Sequence, residues 1–166
     1  MVQAAIRAFA RKGYGGTTLA DIAAEAGVSQ PRISQIFGNK EGAFLRAQRA
    51  ASGEILEVLT HHIAPPYRRS DLNAGYRPMM EKRPEILLMV FQTLTSAYVP
   101  SIGEAARRFV NEVVRIVTEE GGGTRADALD LLSRGVFINA LLAVDAPEHA
   151  EHHPELAQLL DEVNLS

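Results

Sequence analysis

The feature that most constrains this chain is its punctuation. Apolar residues recur three and four positions apart in segment after segment. Glycines, prolines and short polar caps separate those segments, and none sustains the alternation of a half-buried strand. Ala4, Ala5, Ile6, Ala8 and Phe9 mark a first helix that Gly13, Gly15 and Gly16 end. Thr17-Thr18, with Asp21 three residues after Thr18, opens a second, LADIAAEA, in the manner of a capping box, and Gly27 stops it. Ser29 stands where an N-cap belongs, and Pro31 falls in the first turn of a third helix, where no intrahelical N–H is lost. Gly38 breaks that helix and Asn39 caps a fourth, KEGAFLRAQRAASGEILEVLTHH, which ends at the connector IAPPYRRS. Further helices are expected near 70–82, 84–98, 101–119, 124–145 and 154–163, with Gly121–Gly123 and a second capping box at Thr124 and Asp127 between two of them. The stretch DAPEHAEHHPE reads as a loop. The fold expected is all-α.

Several classes fall away. The chain has no cysteine, so disulfide frameworks, thiolate zinc sites and cysteine nucleophiles are excluded. No apolar run reaches 18 residues, so no transmembrane helix and no membrane partner is expected. The charged N-terminus is no signal peptide, and a cytoplasmic protein is expected. There is no G-x-S-x-G, no phosphate-cradling glycine loop and no H-E-x-x-H, so an enzyme is not expected. The five histidines, His61, His62, His149, His152 and His153, match no metal-binding spacing, and neither metal nor cofactor is expected.

The net charge of −3 conceals a division. Residues 1–50 carry seven bases (Arg7, Arg11, Lys12, Arg32, Lys40, Arg46, Arg49) and three acids (Asp21, Glu25, Glu41), a net of +4. The remainder carries 10 bases and 17 acids, a net of −7. A basic head on an acidic body suits a polyanion partner for the head.

The second and third helices, joined by a tight turn at Gly27, form a helix-turn-helix whose third helix would lie in the major groove. Helical spacing turns Ile33, Ile36 and Phe37 inward and leaves Gln30, Pro31, Arg32, Ser34 and Gln35 for solvent or DNA. Arg32 and Gln35, with Gln30, are candidates for base reading, because a guanidinium forks onto guanine and a carboxamide onto adenine. Thr17, Thr18, Ser34 and Lys40 are candidates for phosphate contacts. A bare helical hairpin in an interaction or structural bundle would show the same spacing.

The run GYGGTTLADIAAEAGVSQPRISQIFGNKEGAF resembles the DNA-binding domain of the TetR family of transcriptional regulators. The elements are FA-x-K-G-Y, T-T-x-x-D-I-A-x-x-A-G-V-S and F-x-N-K-E. SRGVFINALLAVDAPE, residues 133–148, is more loosely similar to the penultimate helix of such regulators. The resemblance implies a three-helix DNA-binding domain, residues 1–46, and a helical ligand-binding and dimerisation domain, 47–166. It implies a homodimer on double-stranded operator DNA, released by a small apolar or amphipathic molecule, hence most simply a repressor. Ligand would tilt the fourth helix and change the separation of the heads. Two departures stand out. Ser34 occupies a position where many members carry an aromatic phosphate contact, and the sequence begins so near the first helix that the usual basic N-terminal arm is either missing or not included in it.

On that resemblance, Met79, Met80, Leu87, Phe91, Gln92, Thr95, Tyr98, Phe109 and Asn139 are candidates for a ligand pocket, Met and aromatic side chains making adaptable walls. Leu131, Leu132, Val136 and Leu142, on a helix apolar around much of its circumference, are candidates for a dimer interface with Leu156, Leu159 and Leu160.

Overall fold

The computed structural model describes residues 1–163, and over them the chain is helical with no strand. The last three residues of the expected second domain, 164–166, lie outside the described residues. The helices are α1 (Val2–Gly16), α2 (Leu19–Ala26), α3 (Gln30–Phe37), α4 (Lys40–His62), α5 (Asn73–Lys82), α6 (Pro84–Thr95), α7 (Pro100–Arg115), α8 (Arg125–Ala143), α9 (Ala146–His149) and α10 (Pro154–Val163). Short 3-10 turns precede α5 and follow α9, and a π turn, Ile116–Glu120, extends α7.

Local chemistry explains most of these boundaries. Thr18 accepts from Asp21 N–H at 3.1 Å while Asp21 accepts from Thr18 N–H at 2.7 Å, closing the capping box of α2. Thr124 and Asp127 repeat it at α8. Asn39 Oδ1 accepts from Gly42 N–H at 2.8 Å, starting α4. Gly42 itself allows a close approach, since a Cβ there would come within 2.3 Å of Phe37 O. The backbone of α1 bends at Gly13, whose φ is 67°. At the α2–α3 turn Gly27 takes φ 65° and Val28 N–H reaches back to Ala23 O at 3.0 Å, a left-handed cap that suits glycine. Ser29 holds the N-cap position of α3, but its hydroxyl makes no capping bond. The stretch expected as a loop around His149 folds instead into α9 and a 3-10 turn, with Ala146 wholly buried at its start.

The backbone forms two compact units, Met1–Ile55 with Glu85–Phe109, and Leu56–Pro84 with Val110–Ser166. The boundary expected after residue 46 falls inside α4, nine residues before the first unit's segment ends. In the first unit Ile6, Phe9, Ile22, Ile33, Phe44, Ile86, Met89 and Ile102 are fully buried. Phe9 meets Phe44 edge-on at 4.9 Å between ring centroids, and Tyr14 meets Phe44 at 5.2 Å. In the second unit the buried residues include Leu59, Leu72, Met80, Ile116, Val117, Ala128 and Leu160.

Candidate nucleic-acid interface

The first unit presents the outer face of α3. Ile33 and Phe37 are buried and Ile36 half-buried, while Gln30, Pro31, Arg32 and Gln35 are exposed and Ser34 is half-buried. An eight-residue helix anchored by two large apolar side chains therefore holds one guanidinium and two carboxamides outward.

The charges around it are sorted. Glu25 accepts from Arg7 Nε at 2.6 Å and from Arg11 Nη2 at 2.5 Å, and Asp21 accepts from Lys12 Nζ at 2.6 Å. Glu41 accepts from Ser101 Oγ at 2.6 Å. Lys12, and then Thr18, holds the Asp21 carboxyl well below the usual carboxylate range, and Arg7 chiefly lowers that of Glu25. Three of the seven bases are thus committed to carboxylates. The other four, Arg32, Lys40, Arg46 and Arg49, form no salt bridge among the described residues, and they match the head's net of +4. Lys40 Nζ lies 4.7 Å from the Tyr14 ring centroid and the Arg46 guanidinium 5.7 Å from that of Phe37, so aromatic faces rather than acids steady two of them.

The expected phosphate contacts divide. Thr18 is exposed, with its hydroxyl engaged by Asp21 at 2.6 Å. Thr17 requires a correction. Its side chain is fully buried and its hydroxyl donates to Gly13 O at 2.7 Å, with Ala8 O at 3.2 Å, so it ties the bend of α1 and cannot reach a phosphate.

The second unit holds a cavity of about 920 Å³. Its wall comes from part of the segment between Tyr67 and Met80, including Arg69, Tyr76 and Arg77 but not Met79, from the α8 face Asp127, Asp130, Leu131, Arg134, Gly135 and Ile138, and from Glu162 and Val163. Of the nine residues expected around a pocket only Met80 is in this wall. Met79, Leu87 and Asn139 are buried, Phe91, Gln92 and Phe109 half-buried, and Thr95 and Tyr98 exposed. Six of them (Leu87, Phe91, Gln92, Thr95, Tyr98, Phe109) belong to the first unit. Tyr67 sits in the connector IAPPYRRS, where helical spacing assigns no side chain a face.

Of the expected dimer contacts, Leu131 lines the cavity and Leu160 is buried. Leu132, Leu142 and Leu156 are half-buried, and Val136 and Leu159 exposed. Leu129 and Phe137 are exposed as well, and with Val136 they fall on one side of α8 at helical spacing; Val144, the residue that caps the helix, is exposed too. No helix among the described residues is long and apolar enough to cross a membrane.

Residues 1–47 match the family described as bacterial regulatory proteins, tetR family. Among solved structures, a protein of Mesorhizobium loti described as a TetR-family transcriptional regulator is 26% identical, with a TM-score of 0.50. The alignment covers 70% of this chain and 64% of that one. A protein of Pseudomonas aeruginosa described as a transcriptional regulator shares the fold over 98% of this chain and 85% of its own, with a TM-score of 0.60 and 20% identity. Among curated proteins no sequence matches. Residues 1–47, with the bent first helix, the capped helix-turn-helix and the exposed α3, are thus similar to the tetR family of bacterial regulatory proteins.

Proposed function

We propose that the protein is a cytoplasmic transcriptional regulator that reads double-stranded operator DNA as a homodimer and is released by a small molecule, and so acts as a repressor. The observation that carries this reading is the exposed polar face of α3 on a unit with four bases no acid neutralises. Arg32, Gln35 and Gln30 are the base readers and Lys40 a phosphate contact, with Thr18 and Ser34 beside it. A helix-turn-helix dimer sets its two recognition helices about 34–36 Å apart. The exposed apolar side of α8 supports pairing, because a lone chain would leave Leu129 66% and Val144 65% exposed. The cavity of the second unit supports an effector, which acts only through its differential affinity for the two arrangements of the paired heads.

A gel shift with the DNA flanking the protein's own gene tests the reading. Arg32→Ala relaxes or abolishes operator selectivity. Lys40→Ala weakens every sequence and lowers the salt slope by about one phosphate's worth, roughly 0.9. The assignment fails should both variants hold the operator as wild type does across the salt range.

A further inference from the structure

We propose that Ser101 is a positioning residue for DNA binding: its hydroxyl holds the Glu41 carboxylate aside and so leaves the neighbouring Lys40 ammonium free for a phosphate. This deepens the DNA-binding reading above and rests on it.

The argument begins with the order of two charges. Lys40 and Glu41, a base and an acid, are consecutive in the first turn of α4. An acid there opposes a phosphate contact twice over, by competing for the ammonium and by repelling the phosphate. Salt does not hide one charge from the other, since consecutive Cα atoms lie about 3.8 Å apart and the Debye length at physiological salt is about 8 Å. The head's other two acids meet bases, Asp21 accepting from Lys12 and Glu25 from Arg7 and Arg11. Glu41 is the exception. Among the described residues it forms no salt bridge, and its partner is a neutral hydroxyl.

That hydroxyl comes from far along the chain but from the same unit. Ser101 Oγ donates to Glu41 Oε1 at 2.6 Å, the length of a charge-assisted bond. Ser101 is the second residue of α7, so the carboxylate also lies at the N-terminal end of a 16-residue helix, whose partial positive charge favours an anion. The anchor is firm. Ile102 beside it is fully buried, and Gly103 packs so closely that a Cβ there would stand 2.6 Å from Ala97 O.

The ammonium has a separate seat. Lys40 Nζ lies 4.7 Å from the centroid of the Tyr14 ring, which itself rests edge-on against Phe44 at 5.2 Å. A π face steadies a cation without taking its N–H donors, so they remain for a phosphate. Burial first, then Glu41 and Tyr98, raise the Tyr14 phenol, so the carboxylate stands near the same ring as the ammonium. One ring thus has a cation and an anion close to it, and Ser101 is what draws the anion off.

Fluorescence anisotropy with the full chain and the double-stranded DNA flanking its own gene, read from about 0.1 to about 0.4 M salt, tests the assignment. Ser101→Ala is expected to weaken binding about two- to fivefold at the lowest salt, with the gap closing as screening removes the freed charge. Ser101→Thr keeps the hydroxyl and should restore the affinity. In a Glu41→Gln background Ser101→Ala should cost nothing, since no charge is left to hold aside. A bond that merely ties α7 to α4 would cost the same in both backgrounds and at every salt. Melting temperatures read alongside show that each variant is folded in the assay. The proposal is overturned if folded Ser101→Ala binds as wild type does, or if its loss persists undiminished with Glu41→Gln. Where Lys40→Ala weakens binding and Ser101→Ala does not, this assignment alone falls. A wild-type chain that binds none of this DNA sinks the DNA-binding reading and this assignment with it.

Discussion

Thr17 and Thr18 are neighbours of one type with opposite fates. Thr17 has φ −94° and ψ 137°, an extended backbone that sends successive side chains to opposite sides. One hydroxyl therefore enters the core and the next faces outward to cap α2. Helical periodicity carries no information about a residue just outside a helix, so the sequence alone does not separate a phosphate contact at Thr17 from a buried hydroxyl. The two roles separate in a single variant. Thr17→Val should lose about 1–2 kcal/mol in urea denaturation, because Gly13 O and Ala8 O lose a buried donor, yet leave the salt slope of DNA binding unchanged. A reduced slope at full stability would return Thr17 to the phosphates. Lys40 is legible in the sequence as a candidate phosphate contact, but its seat over Tyr14 is not, since the two lie on different helices.

Among elements, the helix starts were the most legible part of the fold. Both capping boxes, the Asn39 cap and the proline starts of α6, α7 and α10 are contained within a few residues of sequence, so composition alone exposes them. The end of the helical stretch expected over 101–119 falls within a residue of its place, but the π turn that closes it was not legible, because part of its cause is tertiary. The helix widens into a π turn in which Gly121 N–H reaches Ile116 O at 2.9 Å and Arg115 bonds both Glu112 at 2.6 Å and Glu120 at 2.7 Å. Gly121 packs so tightly there that a Cβ would stand 2.4 Å from Ile63 Cγ2. The cap of α2 gives a pH test. Asp21 is depressed below its usual 3.8 in the fold, so its contribution is complete above that value and disappears as pH falls through the folded pKa. Asp21→Asn should therefore lower the melting temperature at pH 7, and the gap from wild type should narrow once pH drops below about 4. A gap that persists unchanged into acid would assign the loss to packing rather than charge.

At the scale of the molecule the sequence conveyed class and order but not which surfaces meet. The cavity wall joins three segments far apart in the chain, so no local pattern announces it. Met and aromatic content pointed instead to residues such as Met79, which the fold uses as core. The same limit hid Phe137, which lies beside Val136 on the exposed side of α8 and is 43% exposed. If that side is the pairing surface, Phe137→Glu should shift the protein from dimer toward monomer in sedimentation and weaken operator binding with it, since two heads are needed for two half-sites. An unchanged sedimentation coefficient would move the interface elsewhere.

The first unit is also discontinuous, and this bears on how the protein is made. Residues 1–55 do not complete it; α6 and the first part of α7, as far as Phe109, supply Ile86, Met89 and Ile102 to its core, and Ser101 to Glu41. During synthesis residues 1–47 leave the ribosome before the segment Glu85–Phe109, so their unit is not complete until Phe109 has emerged. The nascent head waits on a later stretch of the chain, and a product that ends before Phe109 has a helix-turn-helix without its full support.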